Sequence, residues 1–273
     1  MKKKRRPRLR SKWPPKRKIK PRSVQQFRNA AEPAVSVIIP VMNEQRTLAA
    51  VIREASRIHS RTEIIVIANG CTDRSAQLAR KLGAIVMEYK EPLGHDIPRA
   101  IGAREAKGEA LLFIDADMIV PAKDLKPFTE AVLSGEDIAL NDYNGPVQSY
   151  AVHPVVSAKH MLNSFLGRRD LQGASLTAIP HALSRRAVQQ IGVEALESPP
   201  LAHAAAVMMG LRIRAVHAVP VGRLNRYRGR RGVSDALSAL ISGDHIEAMH
   251  WITEKLGPRG GFSDLGRHRE RAR

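Results

Sequence analysis

Three observations predict an α/β fold: an open, mostly parallel sheet flanked by helices. Short β-rich runs alternate with helix-periodic ones from residue 35 onward, glycine or Asn-Gly marks the joins, and three strand runs end in polar clusters. Alternation at this spacing calls for parallel strands with right-handed crossovers, which bury a sheet between two helical layers. In such sheets ligands settle beyond the carboxyl ends of the strands.

The first run, VSVIIPV at 35–41, is apolar and rich in β-branched residues. Residues 44–59 then space Leu48, Val51, Ile52 and Ala55 along one face of a helix. A second strand, IIVIA at 64–68, meets the Asn69-Gly70 turn, and 73–82 reads as a helix capped by Thr72 or Asp73 and closed by Gly83. A strand over 84–88, a helix over 98–106 and a strand over 110–114 complete the regular part. Beyond it the pattern predicts a short strand around 138–140, helices over 153–166, 182–191 and 201–209, a strand over 212–216 and an amphipathic helix over 233–256.

A chain of 273 residues, 43% hydrophobic, can bury a substantial core, and its length suits one large domain. The net charge of +19 does not belong to that body. Residues 1–30 hold 14 Lys or Arg and no acid, which leaves 31 basic against 26 acidic residues elsewhere. The basic arm, 1–32, carries Pro7, Pro14, Pro15 and Pro21 among charges that repel one another, so it is expected to be disordered. A Gly- and Arg-rich tail, 257–273, is expected to be flexible. The arm lacks the apolar stretch of a secretory signal, and no later run reaches the roughly 18 uncharged residues of a membrane span. A lone cysteine, Cys71, excludes an intramolecular disulfide and a thiolate-rich zinc site. These features fit a cytoplasmic protein whose arm can meet the anionic inner face of a membrane. With 4% aromatics the body has little to stack on bases, so no specific nucleic-acid partner is expected.

The polar clusters are Pro40-Val-Met-Asn43-Glu44, Ala68-Asn69-Gly70 and Asp115-Ala-Asp117. Two carboxylates so close repel each other unless a cation stands between them, and hard divalent cations prefer oxygen. A Mg2+ or Mn2+ held there would neutralise a diphosphate leaving group. An isolated Asp-x-Asp is a common turn or cap. Its place directly after the buried run ALLFI gives this one its weight.

Four blocks, VSVIIPVMNE at 35–44, EIIVIANGCTD at 63–73, residues 94–99 and ALLFIDAD at 110–117, together resemble glycosyltransferase family 2. The stretch 173–192, with Arg185-Arg186, is similar to that family's acceptor-side segment. The resemblance implies a GT-A type fold: a single Rossmann-like nucleotide-sugar-binding domain over 33–256, with a nucleotide-sugar half at 33–124 and an acceptor half at 125–256. It implies metal-assisted transfer from a nucleoside-diphosphate sugar to an acceptor, whether glycan, lipid phosphate or small molecule. Pro40, Asn43 and Glu44 would line the nucleoside pocket, Gly94 would allow close backbone approach and Arg99 would lie near the nucleotide. Asp115 would touch the ribose or the Mn2+ or Mg2+ ion, and Asp117 would ligate that ion. Asn43 is equally a good helix cap, and Arg99 equally suits a solvated helix face.

Many members carry two adjacent acids where this chain has Ala68-Asn69. An amide both donates and accepts, so Asn69 can still read a base edge, and a UDP-sugar is the first expectation. Where relatives place a Glu-Asp pair, this chain has Glu197-Ser-Pro-Pro. Glu197 is the nearest acid for the catalytic base and Glu194 the next; a different base, a self-ionised acceptor and retention of configuration all stay open. A distal histidine as third metal ligand would be His203, His217 or His245, with His245 preferred. The arginine-rich loop 223–231 suits a diphosphate or an anionic acceptor. One rival function is a sugar nucleotidyltransferase, but Pro40-Val-Met-Asn-Glu lacks the glycine- and lysine-rich phosphate loop expected there. The other is a nucleic-acid or anionic-surface binder acting through the arm by salt-dependent, sequence-blind attraction.

Overall fold

In chain order, the computed structural model runs β1 (Val35–Val41), α1 (Leu48–Ala55), β2 (Thr62–Asn69), α2 (Ser75–Leu82), β3 (Ile85–Tyr89), α3 (Ile97–Glu105) and β4 (Ala110–Phe113). It continues with α4 (Ala122–Leu133), β5 (Ile138–Asn141), α5 (Pro154–Phe165), β6 (His181–Ser184), α6 (Arg185–Ile191), α7 (Pro199–Met208), β7 (Ile213–His217), α8 (Val221–Leu224) and α9 (Ala236–Leu256). Short 3-10 turns stand at Arg169–Leu171 and Val193–Glu197. The structure describes residues 26–147, 152–224, 236–268 and 271. Most of the arm, the arginine-rich loop from residue 225 on and the last residues of the tail lie outside them.

The strands form one sheet in the order β3-β2-β1-β4-β6-β5-β7. Only β6 runs against its neighbours, so the other six strands place their carboxyl ends on a common edge. The pleat sends Val37 and Ile39 to one face and Ile38 to the other. Helices α1, α2 and α4 cover the first face, and α3, α6 and α7 cover the second. A smaller cluster, Leu162, Ala204, Ala248 and Ile252, joins α5, α7 and α9. Fully buried aliphatic side chains such as Ile38, Ile65 and Ile67 each contribute roughly 2 kcal/mol.

Helix α3 lies unusually close to the sheet because of Gly102. A Cβ at that position would stand 2.4 Å from Ile38 Cγ2 and 2.8 Å from Ile67 Cδ1. One turn earlier on the same helix is Arg99, which the close approach brings to the carboxyl edge of the strands.

The structure departs from the sequence reading in four places. Residues 182–191 are not one helix: β6 is a four-residue strand, too short to display a period, and Ser184 then caps α6 by accepting from the Ala187 N–H at 3.0 Å. Helix α4 has no clear signature in the sequence because Pro127 sits inside it, although Leu125, Phe128, Thr129 and Val132 keep a helical spacing of buried positions. Residues 26–32, expected to belong to the arm, are bonded to the body. Phe27 N–H donates to the Leu82 carbonyl at 2.8 Å, and Asn29 bridges the Gly83 carbonyl and the Ile64 N–H, so residues 26–32 are pinned to β2 and α2. The first part of the tail folds back on α5, with Phe262 and Phe165 ring centroids 6.2 Å apart. Among the described residues no helix is long and apolar enough to cross a membrane.

Candidate active site

A cleft of about 380 Å3 opens at the carboxyl ends of β1, β2 and β4. Pro40, Glu44, Asn69, Gly94, His95, Arg99, Asp115 and Asp117 are among the residues that line it. All eight come from the separate blocks singled out in the sequence, and the sheet order places them together. Strand β4 ends at Phe113, and the chain keeps one more ladder bond, Ile114 N–H to the Ile38 carbonyl, before turning with Asp115 into the cleft.

The Arg99 guanidinium is buried between two carboxylates. Nη2 donates to Asp115 Oδ1 at 3.0 Å, and Nη1 donates to Asp96 Oδ1. Arg99 therefore does not face solvent; it holds Asp115 by one oxygen. Burial raises the pKa of Asp96, an effect opposed by the charges of Arg99 and His95 and reinforced by Asp115. Neither Asp96 nor His95 stood out in the sequence beyond their place in the block 94–99.

Asn69 works as a clamp. Its Nδ2 donates to the Gly94 carbonyl at 2.9 Å and its Oδ1 accepts from the Leu93 N–H at 2.7 Å, fixing the loop that walls the cleft. Gly94 turns that loop with φ +105°, a conformation side chains disfavour. Glu44 lines the cleft, its carboxylate accepting from Thr47 Oγ1 at 3.3 Å. Asn43 differs from expectation: it does not line the cleft. With φ 59° its side chain turns to the β2–α2 loop, where Oδ1 accepts from the backbone N–H groups of Thr72 and Asp73 at 2.8 and 3.1 Å. Asp73 in turn accepts from the Ser75 N–H at 2.8 Å; partial burial opposes its ionisation, but bonds from Ser75 and Gln45 hold its carboxyl below the usual range.

Asp115 and Asp117 line one cleft and offer hard oxygen donors, which fits Mg2+ or Mn2+ with the remaining positions left to phosphate oxygens and water. Among the described residues no third His, Cys, Asp or Glu completes a cluster with them. His245 is not among the residues that line this cleft. The buried stripe of α9 turns it inward, where its Nδ1–H donates to the Ile241 carbonyl at 2.7 Å. His203 is fully buried against Asn163 Oδ1 at 2.7 Å, and His217 meets Asp124 at 3.2 Å. In the Gly243-Asp244-His245 triplet, burial, then the charge of Asp96, raises the pKa of Asp244.

Glu197 ends the 3-10 turn before α7, exposed and outside the cleft lining, and Glu194 pairs with Arg104 at 3.1 Å near the far end of α3. Arg185 donates to the Ala106 and Gly108 carbonyls, and Arg186 pairs with buried Asp137, both at the edge opposite the cleft. His181 carries no signal in the sequence, since it opens a strand of only four residues. It stacks on Phe113 with centroids 5.1 Å apart, its Nδ1–H donates to the Ala178 carbonyl, and burial pushes its pKa down to about 4, so it is neutral beside the site. In the acceptor half a second, mostly apolar groove of about 580 Å3 runs between α5, α9 and the tail, lined by Met161, Phe165, Met249 and Phe262.

Comparison with known proteins shows the family and the fold. The model of the family described as "Glycosyl transferase family 2" matches residues 36–189, more than half of the chain. The chain is 32% identical over 148 residues to 4,4'-diaponeurosporenoate glycosyltransferase of Staphylococcus haemolyticus, covering 52% of this chain and 38% of that protein. It is 26% identical over 108 residues to dolichyl-phosphate hexose transferase of Haloferax volcanii, covering 40% and 47%. It thus spans less than half the length of these two relatives. Among solved structures, glucosyl-3-phosphoglycerate synthase from Mycobacterium tuberculosis in complex with UDP superposes with a TM-score of 0.59 at 21% identity, over 86% of this chain and 83% of that one, a likeness of fold. Sheet order, cleft and family match agree, and the chain belongs to glycosyl transferase family 2.

Proposed function

We propose that this chain moves a sugar from a nucleoside-diphosphate sugar, a UDP-sugar in the first instance, to an acceptor. The observation that carries the reading is the convergence of Pro40, Glu44, Asn69, Gly94, Arg99, Asp115 and Asp117 on one cleft at the carboxyl edge of a parallel sheet. Pro40 and Glu44, with the loop that Asn69 clamps, enclose the nucleoside. Asp115 and Asp117 hold Mn2+ or Mg2+. When bound, that ion supplies Lewis-acid neutralisation of the departing diphosphate. Arg99 keeps Asp115 in place through one oxygen and leaves the other for the ribose or the ion.

The UDP-sugar reading draws support from the neighbouring fold crystallised with UDP and, in another crystal of the same enzyme, with Mn2+ and UDP-glucose. The acceptor class is open among glycan, lipid phosphate and small molecule; one relative is named for dolichyl phosphate and another for undecaprenyl phosphate. Glu197 remains the proposed base although it stands outside the cleft lining. Glu197→Gln should slow transfer at least a hundredfold with donor affinity unchanged, as loss of a general base does; an unaltered transfer rate removes it from the mechanism.

The experiment that tests the donor reading is a thermal-shift panel of nucleoside diphosphates and their sugars, with and without Mn2+. Ligand at about a hundred times Kd stabilises the folded form by roughly 2.7 kcal/mol. A UDP-sugar should raise the midpoint in a Mn2+-dependent way, and Asp117→Asn should lose the Mn2+ dependence with the ligand-free midpoint unchanged. No shift with any nucleotide, or a shift that Asp117→Asn leaves Mn2+-dependent, rejects the assignment.

A further inference from the structure

Arg99 poses an electrostatic problem for the site just described. Its guanidinium sits 3.0 Å from Asp115, so on its own it would cancel much of the negative charge that the Asp115–Asp117 pair offers to a cation. Asp96 lies on the other side. Its Oδ1 takes the second arm of the same guanidinium, and both Asp96 and Arg99 are more than nine-tenths buried. Asp96 occupies the position before α3 where a carboxylate commonly caps the helix, yet its side chain makes no capping bond; only its backbone carbonyl serves the helix, accepting from the Arg99 N–H at 2.8 Å. The carboxylate is turned to the guanidinium instead.

Charge counting shows what this arrangement does. Asp96, Asp115 and Asp117 are three negative charges and Arg99 is one positive, so the set carries a net charge matched by one dication. Without Asp96 the set falls to half of that, and Arg99 is free to turn both arms to Asp115.

We propose that Asp96 is a positioning residue for the cation site: by holding one arm of Arg99 and offsetting its charge, it keeps an oxygen of Asp115 and a full double negative charge available to Mn2+ or Mg2+. The inference rests on the reading of Asp115 and Asp117 as ligands.

The test is Mn2+ binding to the full chain without donor, by titration calorimetry or by the loss of the free-ion spin-resonance signal, with the metal-free unfolding midpoint measured in parallel. Asp96→Asn should bind Mn2+ about a hundredfold more weakly, the effect of one unit charge on a dication about 8 Å away through an effective dielectric of about 30. The double variant Asp96→Asn with Arg99→Met restores the net charge and should return the affinity to within about threefold of the unaltered chain. A purely structural role for Asp96 predicts a double variant at least as weak as the single one, and that result overturns the proposal, as does an Asp96→Asn variant with undiminished Mn2+ affinity. Should Asp96→Asn fail to fold, the double variant, which buries no unpaired charge, decides by the same threefold criterion. If Asp117→Asn binds Mn2+ as well as the unaltered chain, the ligand reading itself has failed, and this inference with it.

Discussion

At position 69 an amide does what a carboxylate cannot: it donates to the Gly94 carbonyl and accepts from the Leu93 N–H at once. Asn69→Asp keeps the shape, loses the donor and sets a negative charge against a carbonyl, a loss of about 1–3 kcal/mol at a buried hydrogen bond. We expect UDP affinity to fall about tenfold or more while the fold persists; calorimetric titration giving an unchanged Kd would show that the clamp does not shape the nucleoside pocket. The same residue shows the limit of reading single letters. Its place at the end of a strand run was legible, but its partners are backbone groups of a loop 24 and 25 residues on, which no pattern announces. Asp115 and Asp117 were legible for the opposite reason, since both chemistry and position are local. Asp96 was not, because its meaning comes entirely from the guanidinium it faces.

Among elements, β1 to β4 and α1 to α3 could be read because strong apolar periods alternate with glycine and Asn-Gly stops. The acceptor half resisted. β6 has four residues, α4 contains a proline, and His245 lies on a helix whose buried stripe cannot be phased from its mixed composition. Helix α3 offers a direct test of how an element positions the site. Gly102→Ala adds one methyl where Ile38 and Ile67 already stand, and both are fully buried, so overpacking should cost about 1–3 kcal/mol and lift α3 off the sheet. Because Arg99 rides on that helix, Mn2+-dependent UDP binding should weaken along with the denaturation midpoint; loss of stability with intact binding would uncouple the two. Helix α7 gives a pH signature. Burial lowers the pKa of His203 to about 3 from an ordinary 6.5, so the folded state binds fewer protons than the unfolded one. Its contribution is complete above pH 6.5 and is lost as pH falls through 6.5 toward 3, at up to about 1.4 kcal/mol per unit. Urea midpoints from pH 7.5 to 5 should decline, and His203→Gln, which cannot ionise, should flatten that slope.

For the whole molecule the question is where the arm ends and the body begins. Composition put the boundary near residue 32, since charge and proline content change there. Hydrogen bonding carries the body back at least to Phe27: Phe27 is tied to Leu82, Ala30 to Thr62, and Asn29 to both Gly83 and Ile64, and all four partners lie at the edge of the sheet opposite the cleft. Two truncations separate the views. Deleting residues 1–25 removes most of the basic charge and none of these bonds, so the unfolding midpoint and UDP affinity should not change. Deleting 1–30 strips a partly buried Phe27 from the core and orphans backbone groups of β2 and α2, at a cost of about 2–4 kcal/mol from several hydrogen bonds of roughly 1 kcal/mol each. Equal stability of the two truncated chains would show that the pinned segment contributes nothing. The shorter truncation also isolates the arm's own role. If the arm attracts the protein to anionic vesicles, at roughly 1 kcal/mol per basic residue near the surface, low-salt cosedimentation should vanish with residues 1–25 while nucleotide binding stays. Retained cosedimentation would move the attraction to the body, whose 31 basic and 26 acidic residues beyond position 30 leave it little net charge to account for it.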